Sequence, residues 1–204
     1  MQLDQREKGF SFQKKGPLDM RMDPSESLTA AEIVNEWPEE KLEEIFRELG
    51  EEPNSRARRA AEIIGKAREK KQFETTSQLA ELIAKELGKG PKKKLHPATL
   101  IFQALRICVN RELESVQAAL PKALKFLQVG GRLGVMSFHR LEDRIVKGIF
   151  KEGATVPAQN KYRGFQEKPC LRLLEKKPIV ATQEEIKSNR RSRSAKLRFA
   201  ERLR

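Results

Sequence analysis

Residues 129–147 read VGGRLGVMSFHRLEDRIVK. Gly130 and Gly131 make a tight turn, Arg132 to Phe138 has the content of a short buried strand, and a helix opens at once from His139. A strand that runs straight into a helix is the grammar of an α/β sheet, in which polar side chains are presented to a crevice at the strand's carboxyl end. Ser137 and His139 stand at that opening and are the first candidates for chemistry. One strand makes no sheet, so its neighbours have to come from elsewhere.

Immediately upstream, a helical pattern starts at His96-Pro97, with Ile101, Ala104, Leu105, Cys108, Leu113, Val116 and Leu120 on one side. Pro121 is expected to break or kink it, after which Ala123, Leu124 and Leu127 lead to the glycine turn. Helix, turn, strand, helix is half of a βαβ unit without its first strand. Downstream, residues 153–178 have no period and read as a loop, and Gln183–Ile186 as a turn or short helix. SAKLRFAERL at 194–203 reads as a closing strand, with Ala195, Leu197 and Phe199 buried and Lys196 and Arg198 outward.

Before all this lies a run of short amphipathic helices. Thr29-x-x-Glu32 is a capping box for Ala30–Trp37. Pro38 opens a helix bearing Leu42, Ile45, Phe46 and Leu49, closed by Gly50. Ser55 caps a third, with Ala57, Ala60, Ala61 and Ile64 inward and Arg56, Arg58 and Arg59 mostly outward. Thr75-x-x-Gln78 caps a fourth that stops at Gly88. Residues 1–26, bracketed late by Pro17 and Pro24, are expected to be an ordered loop, although Asp19, Arg21 and Asp23 alternating with Leu18, Met20 and Met22 also suit a short strand.

The 204 residues are enough for one full core or two small domains, and 38% hydrophobic content with 35% charged residues fits a folded chain with a wet surface. A net charge of +13 is concentrated at Lys89 with Lys92–Lys94, and at eight Lys/Arg between Lys187 and Arg204 against Glu201 alone. Such clusters suit a polyanion such as nucleic acid, or merely solubilise a tail. Two cysteines and two histidines have no metal-like spacing, so no metal is expected. No run is long and apolar enough to span a membrane, and MQLDQREKGF has no signal-peptide core, so a cytoplasmic protein is expected.

Together, GFSF…GPLDMRMDP, TTSQLAELI, HPATLIFQALRICVNREL, GGRLGVMSFHRLEDRIVK and RSAKLR, in that order over nearly the whole chain, resemble the bacterial 16S rRNA (cytosine-N4)-methyltransferase family. The resemblance implies an α/β fold, an incomplete Rossmann-like S-adenosylmethionine methyltransferase domain with a helical insertion. Residues 1–26 would lead from the cofactor domain into the insertion at 27–94, which recognises RNA, and 95–204 would be the carboxyl-terminal half of the methyltransferase domain. The family's glycine-rich loop, ribose-binding acid and Asp-x-Gly-x-Ser-Ser segment have no counterpart here. The chain is accordingly expected to be a carboxyl-terminal fragment. Of the family's cofactor contacts, only Gln2 carries over. Leu100, Arg140 and Arg190 depart from the family's usual basic residue, serine and proline.

That family methylates the N4 amine of a cytidine in the decoding region of 16S rRNA, in the small ribosomal subunit. The chemistry needs an unstacked base and an amine aimed at the sulfonium methyl; hydrogen-bond acceptors that orient the amine matter more than a strong base. Ser137, His139, Asp19 and Asp23 are the candidate acceptors. His139 could instead cap the following helix by bonding Asp143. Arg21, Arg144, Arg190, Arg191, Arg193 and Lys196 are the candidate RNA contacts, while an Arg–Asp pair holding the 16–24 loop is the alternative for Arg21. A homodimer is left open. The competing class is a non-catalytic RNA-binding module.

Overall fold

The computed structural model describes residues 6–13, 15–88, 95–155 and 169–204. The chain divides into two compact units, one ending at Glu112 and the other starting at Leu113.

Among the described residues the first unit has a 3-10 turn, Arg6–Lys8, and five α-helices: α1 Ala30–Glu36, α2 Glu39–Glu48, α3 Asn54–Arg68, α4 Thr76–Leu87 and α5 Thr99–Asn110. Two of the expected caps are in place. Thr29 Oγ1 accepts the Glu32 N–H, and Thr75 and Gln78 close a reciprocal capping box. The third is displaced: Pro53 is the N-cap of α3, its carbonyl accepting from Arg56 and Ala57, and Ser55 lies inside the first turn. Arg56 is likewise not outward, since it bonds Glu52 and the Leu87 carbonyl. Ile33, Leu42, Phe46, Ile64, Leu79 and Ile83 form one core with Ile101 and Leu105 of α5. The helical unit thus takes in α5 and ends at Glu112. It also absorbs the 16–24 loop, because Leu18 and Met20 are buried in this core and Pro17 makes a β-bridge to Thr75.

The long helix expected from Pro97 is two helices. It is broken at Arg111, whose φ of 47° is left-handed, while Pro121 sits inside the second helix, α6 Glu112–Phe126. Local side-chain bonding decides this. Asn110 Nδ2 donates back to the Arg106 carbonyl at 2.8 Å, and Arg106 grips Glu112 across the break at 2.7 and 3.0 Å.

In the second unit, α6 and α7 (Arg140–Gly153) cover one face of a four-stranded sheet: β1 Arg132–Ser137, β2 Leu171–Leu173, β3 Ile179–Val180 and β4 Lys196–Arg202. A short helix, α8 Gln183–Ser188, and a 3-10 turn, Arg190–Ser194, lead into β4. Every described pairing is antiparallel. β1 runs beside β4 from Arg132↔Glu201 to Ser137↔Lys196, so β2 and β3 share the other edge of β4. The β2 strand falls where a loop was expected; at three residues it has no period of its own and exists through its pairing.

The closing strand is inverted relative to its pattern. Leu133, Val135 and Ala200 face the helices, with Val146, Phe150, Leu120 and Leu171 packed on them. Directly opposite residues share a face, so Arg198 and Lys196 point the same way as Ala200, and Leu197 and Phe199 the other. Two cations are tolerated there because Asp143 of α7 meets them. On the opposite face Phe199 lies over Gly134, where any Cβ would strike its ring, and Arg132 and Arg172 both bond Glu201.

Candidate functional site

The carboxyl end of β1 is built by backbone pairing. Ser137 pairs with Lys196, and its buried Oγ donates to the Lys196 carbonyl at 3.4 Å. Phe138 follows with 53% of its surface exposed. Its N–H donates to Glu142 Oε2 at 2.8 Å, so an uncovered aromatic ring stands on a fixed backbone.

His139 is the N-cap of α7. Its Nδ1 accepts the Glu142 N–H at 3.4 Å, and the Glu142 carboxylate accepts the His139 N–H at 3.3 Å, closing a capping box. The capping partner is therefore Glu142 at i+3, not Asp143 at i+4. Nε2 is buried and lies 3.4 Å from Glu142 Oε1, outside hydrogen-bond geometry. Burial pushes the Glu142 carboxyl up, but the adjacent His139 imidazole and the Phe138 N–H outweigh it and leave the group below the usual glutamate range.

Asp143 belongs to the sheet. Arg198 donates to both its oxygens at 2.7 and 3.1 Å and Lys196 Nζ adds a third contact at 3.2 Å. The Arg198 hydrogen bond first, then that of Lys196, holds its carboxyl below the ordinary aspartate range despite burial. Lys196, expected at RNA, thus has an intramolecular anion. Arg190, Arg191 and Arg193 are exposed on the 3-10 turn, and Asn189 Oδ1 caps that turn through the Arg191 N–H. Since the turn feeds β4 at Lys196, it lies at the same end of the sheet as Phe138. Arg144 is exposed on α7.

The remaining candidates lie in the first unit. Asp19 holds Arg21 Nε and Nη2 at 2.8 and 2.9 Å, and Arg21 Nη1 also donates to the Pro24 and Glu26 carbonyls. Arg21 accordingly lowers the Asp19 pKa, its side-chain hydrogen bond being the largest cause. The Arg–Asp pair is what holds the loop. Asp23 Oδ1 accepts from the Ser25 N–H and Oγ, which lowers its pKa in turn. Between them Met20 is buried with a left-handed φ of 65°, fixed by Asn110, which donates to the Met20 carbonyl at 2.8 Å and accepts the Met22 N–H at 2.6 Å. Gln2 and the lysine run Lys92–Lys94 lie outside the described residues. Sequence reasoning missed Glu142 as the cap partner, although the Glu three residues after His139 was its signal, and it gave Phe138 no role.

The site therefore consists of a strand end capped by His139 and Glu142, an exposed aromatic and a nearby basic turn, set in an α/β unit with an antiparallel sheet. Comparison with known proteins gives the lineage. The family model described as MraW methylase family matches residues 1–203, and the chain belongs to that family. It is 51% identical over 206 residues to the ribosomal RNA small subunit methyltransferase H of Protochlamydia amoebophila (strain UWE25). It is 48% identical to the protein of that name from Pelobacter propionicus and 47% identical to that from Carboxydothermus hydrogenoformans. Each comparison covers 99% of this chain and 65% of the relative, so the chain spans about two thirds of those proteins' length. No helix among the described residues is long and apolar enough to cross a membrane.

Proposed function

We propose that the chain serves S-adenosylmethionine-dependent methylation of the N4 amine of a cytidine in 16S rRNA of the small ribosomal subunit. The observation that carries this reading is the family match over residues 1–203. Together with the relatives' names, it supports part of a Rossmann-like methyltransferase, the helical unit being an insertion that meets RNA.

The described residues do not by themselves fit the cofactor. A dinucleotide-type crevice opens where the carboxyl ends of neighbouring parallel strands diverge. Every described pair here is antiparallel, and the Ser137 hydroxyl at the strand end is buried and bonded to the Lys196 carbonyl. On this reading the cofactor rests on residues outside the described set, Gln2 among them. What the described residues supply is the substrate side. Asp19 and Arg21 hold the 16–24 loop in shape, leaving Asp23 as its exposed acceptor for an amine. Ser137 and His139 form the wall at the end of β1, and Arg144, Arg190, Arg191 and Arg193 meet phosphate.

The antiparallel pairing of the described strands also favours a second reading, a non-catalytic RNA-binding module of this family. Labelled S-adenosylmethionine and small subunits lacking the modification separate the two, with titration calorimetry for the cofactor. Incorporation at a cytidine N4 by the chain supports the enzyme. RNA binding without incorporation, and without micromolar cofactor binding, supports the binding module and is the result expected of these residues alone. Neither incorporation nor RNA binding would defeat both.

A further inference from the structure

Helix α7 carries Arg140, Arg144, Lys147 and Lys151, all exposed. Their spacings of four, three and four residues put them on one face of the helix, since residues three and four apart are neighbours there. The other face is apolar: Leu141, Val146 and Phe150 are buried, and Val146 and Phe150 pack in the core of the sheet. The stripe is about 16 Å long at 1.5 Å per residue. The acids of the first turn do not neutralise its far end. Glu142 is engaged with His139 and Asp143 with Arg198 and Lys196, and no described carboxylate pairs with Lys147 or Lys151.

At the amino-terminal end of this stripe stands Phe138. An exposed phenylalanine has no gain from water, and a loose main chain does not explain it, because its backbone N–H is tied to Glu142. A row of cations that ends on an uncovered aromatic carried by a fixed backbone suits single-stranded nucleic acid: phosphates follow the charges and a base stacks on the ring. A solvated basic helix accounts for the lysines but not for the ring.

We propose that Phe138 and the Arg140–Arg144–Lys147–Lys151 face of α7 form a single-stranded RNA track, with an unstacked base on the Phe138 ring and the backbone running along the helix away from the strand end. The assignment rests on the RNA reading above and adds to it four residues, Phe138, Arg140, Lys147 and Lys151, and a direction for the strand.

The test is binding of a fluorescent single-stranded RNA to the full chain over a series of salt concentrations. Phe138→Ala is expected to weaken binding between about 5- and 150-fold without altering the salt dependence, and Phe138→Tyr to restore it. Lys147→Ala with Lys151→Ala should flatten the slope of log affinity against log salt by roughly 1.4, about 0.7 for each single-strand phosphate that is no longer neutralised. Circular dichroism confirms that these surface variants fold. If the parent binds and the variants match it in affinity and slope, the track is wrong while the RNA reading stands. If the parent binds no RNA at all, both fall.

Discussion

Asp143 and Arg198, 55 residues apart, meet through both carboxylate oxygens at 2.7 and 3.1 Å and tie α7 to the central strand of the sheet. The pair is almost buried, with 10% and 12% of the side chains exposed. Removing one partner of such a pair strands the other. Asp143→Asn is therefore expected to destabilise the sheet unit by roughly 3 kcal/mol, read by denaturant unfolding.

The same pair sets an acid limit. Arg198 lowers the Asp143 pKa in the folded state, so the unfolded chain binds the proton more readily. The stability it contributes is complete above the ordinary aspartate value of 3.8 and is lost as pH falls through the lower folded value. Melting temperature measured downward from pH 5 should drop less steeply in Asp143→Asn than in the parent. Equal slopes would remove Asp143 from the acid response.

His139 is a cap by geometry, and cap and site roles separate by substitution. His139→Ala should cost about 1 kcal/mol, and His139→Asn almost nothing, because asparagine is a good N-cap. Where methyl transfer can be assayed, loss of rate in His139→Asn with unchanged melting would show that the imidazole does more than hold the helix.

Asn110 joins α5 to the Asp19–Asp23 loop through Met20 and Met22. Asn110→Ala leaves a buried carbonyl and an N–H without partners, at a cost of roughly 2 kcal/mol. Hydrogen exchange at Met20–Met22 should quicken more than in the α3 backbone; uniform quickening would mean that the loop is not specifically held by Asn110.

Gly50 is required by close approach. A Cβ there would stand 2.6 Å from the Phe46 carbonyl oxygen and 2.7 Å from that of Leu100. Gly50→Ala should destabilise the helical unit by about 1–3 kcal/mol, through displacement of α2 from α5. A neutral result by thermal melting would show that this packing yields freely.

What could be read from the sequence was local. The Thr75 capping box, the Gly130–Gly131 turn, the strand to Ser137 and the helix after His139 are written in neighbouring residues, and the structure has each of them. What was misread depends on distant partners. Lys196 and Arg198 looked outward because their counter-ion, Asp143, comes from another element. Leu171–Leu173 had no visible pattern because a three-residue strand is defined by what it pairs with. The break at Arg111 was hidden because Pro121 seemed the stronger breaker, while the deciding bonds came from the side chains of Asn110 and Arg106. At the candidate site, the motif pointed to the end of β1, but the division of labour between Glu142 and Asp143 needed coordinates.

One property of β1 reaches into handling of the protein. Its outer edge has no strand beside it among the described residues, and Met136 on its uncovered face is 55% exposed. The strand, RLGVMS, contains no proline and a single charge, Arg132. Unpaired backbone of that kind accepts any extended segment that reaches it, whether from another copy or another chain. Concentrated preparations of these 204 residues will consequently be prone to self-association through sheet extension, and a peptide or partner that completes the sheet would act on solubility before it acted on anything else.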